Sequence, residues 1–126
     1  MRVFVTKWFA RFARRELISR ASLREAIARA ERGQIDADLG GGLIKQRVAR
    51  PGGGRSGGYR TIIAYRARKL PVFLSAFAKS DQENIGADEL LSLRATAESW
   101  SKANKAAIRE AIESGRIVEV HNGHED

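Results

Sequence analysis

"LIKQRVARPGGGRSGGYRTIIAY", residues 43–65, decides how the rest of the chain is read. Its two ends are apolar and β-branched, while its middle is glycine and arginine. Gly52, Gly54 and Gly57 fit the spacing G-x-G-x-x-G. That spacing marks a dinucleotide site only where a strand precedes it and a helix comes after. The segment after these glycines, Tyr59-Arg60-Thr61-Ile62-Ile63-Ala64-Tyr65, is a strand pattern. The Gly-Lys-Ser/Thr ending of a phosphate-binding loop is also missing from this stretch. The stretch therefore reads as two strands, 43–50 and 59–67, forming a hairpin about Gly54.

Strand alternation then sorts the side chains. Lys45 and Arg47 fall on one face, with Ile44 and Val48 on the other. Arg60 shares its face with Ile62 and Ala64, so the hairpin sets Arg47 opposite residues near 60–62. A third strand is expected at 72–79, after a turn at Lys69-Leu70-Pro71. Lys79 ends it, on the face assigned to Phe73 and Phe77. Four cations then converge on one part of a sheet. Like charges so close repel, and they persist most easily around an anion such as phosphate. Tyr59 and Tyr65 alternate away from Arg60, which points to packing rather than base stacking.

Working outward, Arg2-Val3-Phe4-Val5 reads as a short edge strand. Lys7 to Leu17 places Trp8, Phe9, Phe12 and Ala13 on one helical face, with Arg11, Arg14 and Arg15 elsewhere. Ser22 followed by Glu25 has the form of a capping box for a second helix that Gly33 ends. Arg14 and Arg29 are expected on helix surfaces. Asp88 is placed to cap a third helix running to Trp100, and a fourth near 102–114 leads to Ile117-Val118-Glu119-Val120. The order predicts an α+β fold with a mainly antiparallel sheet, N-terminal helices packed on it and C-terminal helices after it. One domain, 1–126, is expected.

Composition narrows the function classes. Having no cysteine excludes disulfide frameworks, thiolate metal sites and cysteine nucleophiles. No apolar run approaches a membrane span of about 18 residues, and Lys7, Arg11, Arg14 and Arg15 break the first apolar stretch. A cytoplasmic protein without a membrane partner is expected. The net charge is +8, distributed as +12 over residues 1–70 and −4 over 71–126. That asymmetry points to a polyanion held by the first half.

The run Leu43–Val48, the glycine-rich loop, "GGYRTII" at 57–63 and "FAKS" at 77–80 together resemble the RelE/ParE superfamily of bacterial toxins. The likeness is to its RelE-type and HigB-type messenger-RNA interferase branch. The resemblance implies a family core at about 1–97, with a C-terminal helical extension at about 98–120. It also implies a type II toxin that cuts messenger RNA on the ribosome without metal or other cofactor, silenced by a cognate antitoxin that is a small helix-turn-helix DNA-binding protein. Arg60, Lys45, Arg47 and Lys79 match the catalytic cations of that branch. Arg50, Arg55, Gly57 and Gly58 are assigned to RNA contact, since glycine lets backbone approach a phosphate chain. Some members carry an arginine after the Lys79 position and a tyrosine several residues later; here Ser80, and Ile85 and Gly86, stand there. His121 and His124 lie in a polar tail. Two alternatives remain open: a ParE-like inhibitor of DNA gyrase, and a basic RNA- or ribosome-binding module without catalysis.

Overall fold

The strand segments Leu43–Val48 and Tyr59–Ala64 bury side chains on both of their faces, so the sheet they build must carry helices on each side. The structure, a computed structural model, describes residues 2–52, 58–66, 70–78 and 85–121. Strand β1 spans Phe4–Thr6, helix α1 Lys7–Arg15, helix α2 Arg20–Glu31 and strand β2 Ala37–Gly40. Strands β3 (Leu43–Val48), β4 (Tyr59–Ala64) and β5 (Val72–Ala78) form the meander. Helices α3 (Ala87–Lys102) and α4 (Lys105–Glu113) then lead into strand β6 (Ile117–Glu119). The sheet order is β2-β3-β4-β5-β1-β6, and every neighbouring pair is antiparallel except β5 and β1. The fold is α+β with a mainly antiparallel sheet, as the pattern predicted.

Each face of the sheet has its own core. Helices α1 and α2 bury Phe9, Phe12, Leu23 and Ile27 against Val5, Ile44, Val48, Ile63 and Phe73. On the other face Ala97 of α3 and Ala111 of α4 meet Phe4, Leu43, Ile62, Ala64, Val72 and Ile117. Burying one such large apolar side chain is worth about 1.5–3 kcal/mol. Gln46, fully buried, ties the first core together: its amide donates to the Ala26 and Gln34 carbonyls, and its oxygen accepts from Asp36 N–H.

Several local expectations are corrected. Strand β1 is not an edge, because β6 returns from the C-terminus to pair with it, Val5 opposite Val118. Ser19, not Ser22, caps α2: its hydroxyl accepts the Ser22 N–H at 3.1 Å, while Glu25 binds Arg29 rather than closing a box. Gly86 precedes α3, and Asp88 sits in its first turn without capping it. Asn104 caps α4. Strand β2 escaped the sequence reading, since "ADLG" carries no β-branched residue. It turns into β3 through Gly40, Gly41 and Gly42, all with positive φ. A register shift between Ile62 and Ile63 inserts a bulge in the β4–β5 pairing. The bulge sends Phe73 to the first core and Phe77 to the second, so these two do not share a face. Lys69, Gly54, Lys79 and Ser80 lie outside the described residues.

Candidate functional site

Register across β3, β4 and β5 writes three rows on the face that α3 and α4 partly cover. Leu43, Ala64 and Val72 form one row, buried beneath the helices. Lys45, Ile62 and Ser75 form the next, and Arg47, Arg60 and Phe77 the last. The face thus grades from apolar to cationic along the strands. Helix α3 is anchored at the apolar end, where Arg94 donates to the Leu39 carbonyl beside the glycine turn. The cationic end lies away from that anchor.

Arg47 and Arg60 are direct cross-strand partners. Directly opposite Cβ atoms lie about 4.5–5.5 Å apart, and the diagonal from Arg60 to Lys45 spans roughly 7–8 Å. The two arginines are not equivalent. Asp36, preceding β2, accepts the Arg47 N–H at 2.7 Å and approaches its guanidinium at 3.6 Å. Arg47 remains exposed but is held. Arg60 is half-buried, and its Nη1 is shut from solvent with no hydrogen-bond partner among the described residues. Lys45, also half-buried, has no ion pair among the described residues. A buried, unpaired guanidinium N–H costs free energy unless something completes it. The row gathers one half-buried arginine with an uncompleted N–H, one braced arginine and one lysine.

The other expected contacts separate from this group. Arg50 lies over the Tyr59 ring, 5.1 Å from its centroid, and Tyr59 faces the first core, opposite Arg60. The Tyr59 hydroxyl donates to Glu16 at 2.6 Å. Burial first, and then that bond, raise the Tyr59 pKa, while the same bond helps hold Glu16 below the usual carboxylate range. Tyr65 likewise belongs to packing: burial and its bond to Glu31 push it up to about 12. Gly58 has a packing reason of its own, because a Cβ there would sit 2.0 Å from the Val48 carbonyl oxygen. Ile85 packs on the second core and supplies no phenol. His121 lies just past β6, with β5 and β1 between it and Arg60. Lys79, Arg55, Gly57 and His124 lie outside the described residues.

Two participants were invisible in the sequence. Asp36 belongs to a stretch with no strand signal, and only β2 pairing brings it to Arg47. Arg29, expected on a helix surface, is buried; it binds Glu25 at 2.9 Å and Asp36 at 3.4 Å, and donates to the Arg47 carbonyl. It braces the strand that carries Arg47 from the opposite side of the sheet. A basic residue at an i+4 position from Glu25 was the available clue.

Among the described residues no helix is long and apolar enough to cross a membrane. No curated protein and no solved structure matches the chain significantly. The family described as "RelE toxin of RelE / RelB toxin-antitoxin system" matches residues 1–120, so the stretch from β1 through β6 is covered by one family pattern. With basic strands, glycine loop and cationic row all inside that span, the chain belongs to the RelE toxin family of toxin–antitoxin systems.

Proposed function

We propose that this toxin is a ribosome-dependent endoribonuclease that cleaves messenger RNA and so stops translation, acting in the cytoplasm until a small helix-turn-helix antitoxin binds it. The observation that carries the reading is the buried Nη1 of Arg60, without a hydrogen-bond partner among the described residues, in a row with Arg47. Cleavage proceeds by attack of a ribose 2′-OH on the adjacent phosphate. The bond to the 5′-oxygen breaks, leaving a 2′,3′-cyclic phosphate and a 5′-hydroxyl. Charge grows on the phosphoryl oxygens in the transition state, and preorganised donors aimed there give the largest stabilisation. Arg60 has that role. Arg47, fixed by Asp36, positions the same phosphate. Arginine stays protonated throughout, so of the three side chains only Lys45 can serve as base, and it takes the 2′-OH proton only from its neutral amine form. Lys79 is assigned to the leaving 5′-oxygen, and Arg50, Arg55, Gly57 and Gly58 to RNA contact near the loop.

Producing the protein without its antitoxin tests this reading. Growth and protein synthesis are expected to stop within minutes, and primer extension is expected to show cuts inside coding regions. Intact transcripts with stalled replication and a DNA-damage response would establish a gyrase inhibitor instead. Arrested translation with intact transcripts would leave a ribosome-binding module without catalysis.

A further inference from the structure

Helix α1 is the most one-sided of the described helices. At 3.6 residues per turn, Lys7, Arg11, Arg14 and Arg15 fall within an arc of about 100°. Buried Phe9, Phe12 and Ala13 lie diametrically opposite, in the first core. The helix contains no acidic residue. Arg15 is engaged by Glu16 and by the Phe12 ring. Lys7, Arg11 and Arg14 are exposed and have no ion pair among the described residues. Like charges at i, i+4 destabilise a helix, and a cation in its first turn opposes the macrodipole. Repulsion along the stripe and Lys7 in the first turn disfavour this arrangement, although Arg14 and Arg15 in the last turn suit the macrodipole, so an external anion is the natural complement of the exposed cations.

Arg50 adds a cation beside the end of this helix. It lies over Tyr59, whose hydroxyl reaches Glu16 at the C-cap of α1. This exposed residue therefore stands near the C-terminal end of α1, flanking the stripe, on the side of the sheet away from Arg60. One RNA phosphate cannot meet both groups, because the sheet and its first core lie between them.

We infer that the outer face of α1, with Lys7, Arg11, Arg14 and Arg50, is a second anion-binding surface that grips the backbone of double-helical RNA while the Arg60 face holds a single strand. Three features favour a duplex. The cations project from a convex helix, not from a groove with stacking rings of the kind single strands use. Trp8, the half-exposed ring beside them, is already stacked on Phe12 at 5.3 Å. Duplex RNA is read mainly through shape and phosphates, which such a row matches. Naming that RNA as ribosomal rests on the function proposed above; the surface itself does not. Cations on both sides of the sheet suit a protein wedged between structured RNA and a threaded message.

The test compares the full chain with a Lys7→Gln, Arg11→Gln, Arg14→Gln variant, both carrying Arg60→Ala to suppress cleavage. Binding to a short blunt RNA duplex and to purified ribosomes is measured against salt concentration. The variant is expected to bind both more weakly, with the duplex log–log slope reduced in magnitude by about 2–3, near 0.9 per lost phosphate contact. Its thermal midpoint is expected to hold or rise, since repulsion has been removed; should it fall, Arg11→Gln alone is used, with a slope change of about 1. A Lys105→Gln, Arg109→Gln variant on α4 is expected to bind like the parent. Unchanged duplex and ribosome binding overturns the inference. So does a loss confined to anionic phospholipid vesicles or to the antitoxin, which would make α1 a membrane or protein surface. The duplex assay needs no cleavage, so this outcome is separate from that of the expression experiment.

Discussion

Arg60 and Gly58 are two residues apart; the first is proposed to act through its side chain, and the second has no room for one. Removing the Arg60 fork, Arg60→Ala, is expected to cost about 10²–10³ in cleavage rate, by analogy with loss of one oxyanion donor. Binding of RNA or ribosome changes much less, because many cations share the ground-state charge. Arg60→Lys rescues poorly, since a point charge does not reproduce a planar fork. Full cleavage and toxicity in a folded Arg60→Ala protein would remove Arg60 from the site. Gly58→Ala acts through structure instead. Its Cβ would clash with backbone, the Val48 carbonyl at 2.0 Å, so the β3–β4 pair must separate where Val48 opposes Tyr59. A loss of about 1–3 kcal/mol in denaturant unfolding is expected. An unchanged midpoint would show that the loop end adapts. Alternation placed Arg60 correctly from sequence, whereas the reason for Gly58 lies in a neighbouring strand.

At the scale of elements, α2 separates what capping rules predict from what the helix does. Ser19 accepts the Ser22 N–H, so Ser19→Ala is expected to cost about 1 kcal/mol. Ser22→Ala should cost only a few tenths, and chemical denaturation of the two variants distinguishes them; a larger cost at Ser22 would restore the capping box. Only Ser22 has the glutamate of a capping box three residues on, yet the backbone geometry makes Ser19 the cap. The same helix carries Arg29, which a sequence reading treats as a harmless surface control. Its burial among Glu25, Asp36 and the Arg47 carbonyl makes Arg29→Ala costly, about 2–4 kcal/mol. It should also lower cleavage by releasing Asp36 and with it Arg47. Arg14→Ala, exposed on α1, should leave stability within about 0.5 kcal/mol.

For the whole molecule, the decisive contact joins the chain's two ends. Strand β6 closes the sheet against β1, and Arg2 binds Glu119 through two hydrogen bonds, which holds Glu119 below the usual carboxylate range. Val120 N–H donates to the Val3 carbonyl at 2.7 Å, and Lys7 N–H to Arg116. Ala111 and Ile117 complete the second core. Deleting residues 104–126 would bare Phe4 and leave β1 as an unpaired edge, a template for aggregation. Such a truncation is expected to lose its cooperative urea transition or to unfold at much lower urea. An unchanged transition would mean that α4 and β6 add nothing to the fold.

What the sequence determined by itself was local and periodic. Alternation in Leu43–Val48 and Tyr59–Ala64 fixed two strands and put Lys45, Arg47 and Arg60 on one face, because a pleated strand leaves its side chains no other choice. Helical spacing fixed α1 in the same way. Tertiary structure decided everything that depends on a partner far along the chain. It made β1 interior by returning β6, recruited Asp36 through a strand with no β-branched residue, and buried Arg29 beneath Arg47. It moved Arg50 to the side of α1 and, by one bulge, parted Phe73 from Phe77. Periodicity is a property of neighbours in sequence, whereas pairing, burial and bulges are settled by the free energy of the assembled sheet.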